Sequence, residues 1–238
     1  MRSPDGPWDE AKLIKAIIFD LDGTLLNTLT SISHSFNRAL LKMGMPTHDS
    51  QDYRYFIGDG VYKCAERCLP AKNRDDATIK QLAELERQDY AQSWQTHTEP
   101  YRGIPDLLEA AEAAGYELAV LSNKDDAFTQ YLVRHFFPDT NWAIVVGHSE
   151  EVPHKPDPTG AALIAKQLRL EPRELAIVGD TSIDITTAQA CNMFCVGVLW
   201  GFREFAELED AGANRIIERP EQLLDCLKTE TSYVHHRP

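Results

Sequence analysis

The sequence predicts an α/β protein: a Rossmann-like parallel sheet of about six strands with helices on both faces, interrupted after its first strand by an inserted all-helical domain. Three observations carry this expectation. From residue 98 onward, short apolar runs alternate with amphipathic stretches. A run of the same kind, "KAIIFDL", stands alone at 15–21. Between the two, residues 28–97 have helical spacing and no evident strand. Continuous apolar strands separated by helices belong to a parallel sheet covered on both faces.

Taken in order, "KAIIFDL" is the first strand. In the block that follows, Ile32, Phe36, Ala39, Leu40 and Met43 recur at helical spacing, and "VYKCAERCL" and "DDATIKQLAELERQDYAQSW" read as further helices. Beyond residue 98 the strands are "YELAVLS" (116–122), "WAIVVG" (142–147), "LAIVG" (175–179), "FCVGVLW" (194–200) and "RIIE" (215–218). The segments between them, such as "IPDLLEAAEAAG" and "DPTGAALIAKQLRL", are amphipathic. The expected division is a core of residues 10–27 and 98–228, a helical domain of 28–97 and a polar C-terminal tail of 229–238 containing His235 and His236.

The chain has 238 residues, is 43% hydrophobic, and carries a formal net charge of −13. That apolar content suffices for a real core. The acidity argues against nucleic acid and anionic membrane surfaces as partners. A small anionic ligand would need local cations or a metal. No apolar run approaches the roughly 18 residues of a membrane span, and "MRSPDGPWDE" has no signal-peptide core. A cytoplasmic location is the expectation, with the chain acting as a monomer or homodimer. Five cysteines without a four-ligand spacing read as reduced thiols used in packing.

In an open parallel sheet, ligands bind beyond the carboxyl ends of the strands. Four sites qualify. Asp20 and Asp22 end the first strand, and residues two apart in extended chain point the same way. Two such carboxylates repel unless a cation lies between them, and Mg²⁺ is the hard ion that suits a few carboxylates plus phosphate. Ser122 and Asn123 offer a hydroxyl and an amide at a second strand tip. In "HKPDPTG", Asp157 fits a helix cap with Pro158 at the first helical position, and Pro156 stiffens the loop that carries Lys155. A fixed ammonium suits phosphate. Finally, "VGDTSID" places Asp180 after a strand and Asp184 on the helix that follows.

Taken together, Asp-x-Asp-Gly-Thr, Ser-Asn, Lys-Pro-x-Pro and Gly-Asp-x-x-x-Asp in this order resemble the haloacid dehalogenase superfamily, over residues 14 to 228. The helical insert resembles the cap of its alpha-helical-cap subfamily. "FIGDGVYKCAERCL", "AVLSNK" and "VGVLWGF" are most similar to the phosphoglycolate phosphatase branch. The resemblance implies a phosphatase acting on a small phosphorylated metabolite. Asp20 would be the nucleophile that forms an aspartyl-phosphate, and Asp22 the general acid and base. Mg²⁺ would be bound by Asp20, the Asp22 carbonyl and Asp180. Ser122, Asn123 and Lys155 would hold the phosphoryl group, with Asp184 supporting Lys155 or a metal-bound water from behind. Arg54, Lys63 and Arg67 of the cap are candidates for a substrate carboxylate, with Asp59 an opposing charge in the same loop. A sugar phosphomutase, a pyrophosphatase, a nucleotidase or a non-enzymatic binding protein would use the same fold. The chain departs from the family pattern at Asn27, where an acid is common, at Asn192, where glycine is usual, and at Arg102.

Overall fold

The computed structural model describes residues 14–233, with side chains through residue 228. The expected start of the core at residue 10 and the end of the tail, with His235 and His236, lie outside the described residues.

In chain order the elements are β1 (Ala16–Phe19), β2 (Leu26–Asn27), α1 (Leu29–Lys42), α2 (Tyr53–Phe56), α3 (Val61–Cys68), α4 (Asp76–Ser93) and β3 (Glu99–Pro100). There follow α5 (Ile104–Ala113), β4 (Glu117–Asp125), α6 (Asp126–Phe136), β5 (Trp142–His148), α7 (Thr159–Leu168) and β6 (Leu175–Gly179). The chain ends with α8 (Ser182–Ala190), β7 (Phe194–Val198), α9 (Phe205–Asp210), β8 (Arg215–Ile217) and α10 (Leu223–Tyr233).

Six strands form one sheet in the order β5-β4-β1-β6-β7-β8, every pairing parallel. Alternation along the strands divides the core. Ile17, Phe19, Leu118, Val120, Ala176 and Val178 pack on one face. Ala16, Ile18, Ala119, Leu121, Leu175 and Ile177 pack on the other. Both faces are apolar because helices cover both, which is why the strands read as unbroken apolar runs.

Strand β1 lies at the point where the chain order reverses, with β4 on one side and β6 on the other. Such a switch point opens a crevice at the carboxyl ends of the strands. Phe19 is in register with Val120 of β4 and with Val178 of β6. Asp20, Ser122 and Asp180 therefore lie at nearly one level.

Between β2 and β3 the chain is helical or irregular throughout. These two short strands pair antiparallel, Leu26 with Pro100 and Asn27 with Glu99, so the entry to and exit from the helical block run side by side. The block is not a separate core. Ile32, Phe36, Tyr53, Cys64, Cys68 and Leu82 belong to the same apolar cluster as one face of the sheet. Cys64 and Cys68, four apart on α3, are buried there.

Three differences from the sequence reading have local causes. Strand β4 continues through Ser122 and Asn123 to Asp125, held by a second stretch of pairing in which Asp125 lies opposite His148. Helix α7 begins at Thr159, with Pro158 as its cap, because the Asp157 carboxylate accepts the Thr159 N–H at 2.9 Å and fixes a turn first. Helix α10 runs to Tyr233, five residues into the expected tail. Asn192 adopts the left-handed conformation, φ 55°, suited to the helix end it follows. Among the described residues no helix is long and apolar enough to cross a membrane.

Candidate active site

Asp20 continues the ladder beyond β1: its N–H donates to Val178 O at 2.9 Å. Its carboxylate accepts from Lys155 Nζ at 2.8 Å. Lys155 is 4% exposed and also donates to Asp184 Oδ1 at 2.6 Å. The other oxygen of Asp184 accepts from the Thr181 N–H and hydroxyl at 3.2 and 2.9 Å, closing a capping box at the start of α8. The helix cap thus orients the acid that orients the lysine. Burial opposes the Lys155 charge, yet Asp184 and Asp20 hold its pKa above the ordinary lysine value.

Asp180, fully buried, accepts the Phe202 N–H at 2.8 Å and the Thr24 hydroxyl at 3.2 Å. Gly23 makes this approach possible. Its φ is +89°, and a Cβ there would fall 2.3 Å from Asp180 Oδ2. The glycine of Asp-x-Asp-Gly-Thr is therefore demanded both by the turn and by Asp180.

Asp20, Asp180 and Asp184 each offer a carboxylate oxygen within 4.8 Å of the others. Burial raises the Asp20 pKa well above the ordinary carboxylate range, with Asp184 and Asp180 adding to the effect of burial and Lys155 opposing it. Burial and then Asp184 push Asp180 up to about 7. Carboxylates so placed are costly to ionise without a cation. Four carboxylates (Asp20, Asp22, Asp180 and Asp184) are matched here by two ammonium groups, Lys155 and Lys124. The formal excess of two negative charges, at an oxygen-lined cradle, fits a hard divalent cation.

Asp22 stands apart from that cluster and opens onto a cavity of about 210 Å³ between the strand ends and the helical block. Asp22 Oδ2 accepts from Lys124 Nζ at 2.8 Å, while Asp22 Oδ1 is buried with no hydrogen-bond partner among the described residues. Burial opposes the Lys124 charge, but Asp22 and Tyr90 keep its pKa above the ordinary value. Lys124 also lies 4.9 Å from the centre of the Tyr90 ring.

The sequence candidates are brought together unequally. Asp20, Asp22, Ser122 and Asn123 line the cavity, and Lys155 and Asp180 support it from behind. Asn123 is corrected from a substrate contact to a clamp. Its Oδ1 accepts the Lys155 N–H at 2.6 Å, and its Nδ2 donates to Lys155 O and to Gly58 O, at 3.1 and 2.8 Å. The amide is spent on fixing Lys155 and tying the loop before α3 to the sheet.

Lys63 and Arg67 do not line the cavity. Helix α3 turns Cys64, Ala65 and Cys68 inward, which sends residues 63 and 67 outward. Lys63 bonds Glu66 at 2.6 Å, and Arg67 pairs with Asp59 and donates to Phe56 O. Asp59 is thereby neutralised outside the cavity. Arg54 donates to Phe202 O at 2.8 Å, and Arg203 to Ile57 O at 2.9 Å, so both arginines hold the cap against the core.

Sequence reasoning missed Lys124, Glu86 and Tyr90, which all line the cavity. Glu86 was legible in one respect: with Leu82 and Tyr90 it recurs every four residues, on the inward face of α4.

The family model described as haloacid dehalogenase-like hydrolase matches residues 17–198. A phosphoglycolate phosphatase from Aquifex aeolicus is 28% identical, with 90% of this chain and 97% of that protein covered. One from Pseudomonas putida is 26% identical, covering 89% of this chain and 79% of that protein. A solved haloacid dehalogenase-like family hydrolase from Streptococcus pneumoniae matches with a TM-score of 0.81 at 26% identity, over 90% of this chain and 98% of that one.

Proposed function

The chain belongs to the haloacid dehalogenase-like hydrolase family, and we propose that it is a Mg²⁺-dependent phosphatase of small phosphorylated metabolites. The observation that carries this reading is the pairing at the cavity floor. Asp20 lies against Lys155, and Asp22 turns an unpartnered buried oxygen into the same cavity.

Asp20 is the nucleophile: its carboxylate attacks phosphorus and the ester oxygen leaves, giving an aspartyl-phosphate. Asp22 gives its proton to the departing oxygen and then takes one from the water that hydrolyses the intermediate. Its free oxygen is the atom for that transfer, and Lys124 on the other oxygen holds the carboxyl in place. Lys155 and the Ser122 hydroxyl bind phosphoryl oxygens, with Lys155 aligned by Asp184 and by the Asn123 clamp. Asp20, Asp180 and the Asp22 carbonyl would hold Mg²⁺, which when bound neutralises the acid cluster and the phosphoryl charge. The cap, latched by Arg54 and Arg203, keeps water from the floor. The named relatives make 2-phosphoglycolate the reference substrate.

The test is phosphate release from p-nitrophenyl phosphate. Release should require Mg²⁺, stop with a chelator, and fall by roughly a thousandfold or more in Asp20→Asn. Metal-independent release, or an Asp20→Asn variant as active as the parent, would refute the reading.

A further inference from the structure

The side of the cavity facing the floor is built by the helical cap. Most of it is apolar, from Ile32 and Phe36 of α1 to Val61 of α3, and Phe128 of α6 adds to it from the sheet domain. Of the polar side chains that α4 adds to it, two are buried: Glu86, 5% exposed, and Tyr90, 6% exposed. Four residues apart, they share one helix face. The Tyr90 hydroxyl is buried beside the Ser31 hydroxyl and makes no hydrogen bond of good geometry among the described residues. A buried polar group left so is costly unless something outside the chain satisfies it.

The cations that line the cavity are already engaged. Lys124 is bound to Asp22 at 2.8 Å. Arg87 forks onto Asp125 at 2.9 and 3.0 Å and donates to the Tyr62 hydroxyl at 3.0 Å. A substrate carboxylate at this end would meet Glu86 and no unengaged cation, in apolar surroundings where an unpaired charge is expensive.

We propose that Glu86 and Tyr90 form a specificity site that selects phosphomonoesters whose carbon portion carries an uncharged hydroxyl or carbonyl beside apolar carbon, and rejects those with a carboxylate there. This deepens the phosphatase reading and rests on it. Burial lifts the Glu86 carboxyl to about 8, against the opposing charges of Lys124 and Arg87. Near neutral pH it meets the ligand as a neutral acid, able both to donate and to accept. The Tyr90 hydroxyl has the same double capacity. Two such groups match a hydroxyl or carbonyl, while the phosphoryl end occupies the floor.

The experiment compares kcat/KM for ω-hydroxyalkyl phosphates of graded length, their deoxy analogues and 2-phosphoglycolate. It uses the parent enzyme, Glu86→Gln, Glu86→Leu and Tyr90→Phe, with p-nitrophenyl phosphate as the measure of the chemistry itself. Each result is a ratio within one variant, so partial loss of folded enzyme cancels. In the parent, the best hydroxy ester should exceed both its deoxy analogue and 2-phosphoglycolate by about tenfold or more, the worth of one well-made hydrogen bond. Glu86→Gln, whose amide also donates and accepts, should keep the ratio; Glu86→Leu and Tyr90→Phe should bring it toward one. The proposal is overturned if 2-phosphoglycolate equals or outruns the hydroxy esters, or if the ratio is the same in all four proteins. Failure to hydrolyse even p-nitrophenyl phosphate would instead remove the phosphatase reading, and this inference with it.

Discussion

On the cavity floor, four carboxylates and two ammonium groups crowd near the ends of β1, β4 and β6; Lys155 bridges Asp20 and Asp184, and Lys124 pairs with Asp22. On the cap wall a single carboxyl, Glu86, sits largely among apolar side chains, and burial pushes its pKa up to about 8. The same residue type is handled in two ways. Burial raises carboxyl pKa values on both sides, but the floor sets lysines directly against Asp20, Asp22 and Asp184, while among the described residues the wall gives Glu86 no ion-pair partner. Chemistry needs charge that can act on phosphorus, whereas recognition of an uncharged group needs a dry donor and acceptor.

Substitutions that unbalance the floor should have the largest effects. Asp180→Ala should lower Mg²⁺-dependent turnover by roughly a thousandfold. It should also abolish any rise in melting temperature that Mg²⁺ gives the parent, a readout independent of activity. Lys155→Met should follow, at about a hundredfold in kcat, since it leaves Asp20 and Asp184 without their shared cation. A drop confined to KM would show that Lys155 only binds. Lys124→Met should cost about tenfold in kcat, because Asp22 keeps its place less well without that partner.

A change on the wall acts on stability with a definite pH signature. The unfolded chain gives up the Glu86 proton near 4.5, the folded protein near 8. Between those values the folded state binds more protons, so this residue makes stability fall as pH rises. Glu86→Gln removes the effect. Thermal melts of the two proteins should coincide near pH 4.5 and separate in favour of the variant as pH climbs toward 8, with no further gain beyond. A gain that shrinks with rising pH would contradict the burial of a neutral carboxyl. The smallest effect is expected outside the cavity: Lys63→Ala should change kcat/KM by less than about twofold, as for an exposed ion pair.

The same contrast explains what the sequence made legible. Asp20, Asp22, Asp180 and Lys155 could be found because each follows a strand or sits in a stiff loop, and strand ends in a parallel sheet converge on one crevice. A period of two relates the directions of Asp20 and Asp22. The cap offered no such rule. Arg67 and Lys63 were expected in the cavity because they are cations near a glycine-rich loop, but the face α3 buries carries Cys64, Ala65 and Cys68. Lys124 lies two residues beyond Ser122, yet its reach to Asp22 depends on β4 continuing past the point where its apolar run stops. Glu86 has the spacing of an inward residue and the chemistry of a surface one. Only the packed helices show that spacing won.

The division of labour between the two aspartates of "FDLDGT" is the central claim, and leaving-group dependence tests it directly. If Asp22 protonates the departing oxygen, Asp22→Ala should lose about a hundredfold more kcat/KM on an alkyl phosphate, whose alkoxide needs a proton, than on p-nitrophenyl phosphate, whose phenolate leaves without one. Asp20→Asn should lose both activities alike. Equal losses on the two esters in Asp22→Ala would contradict the account.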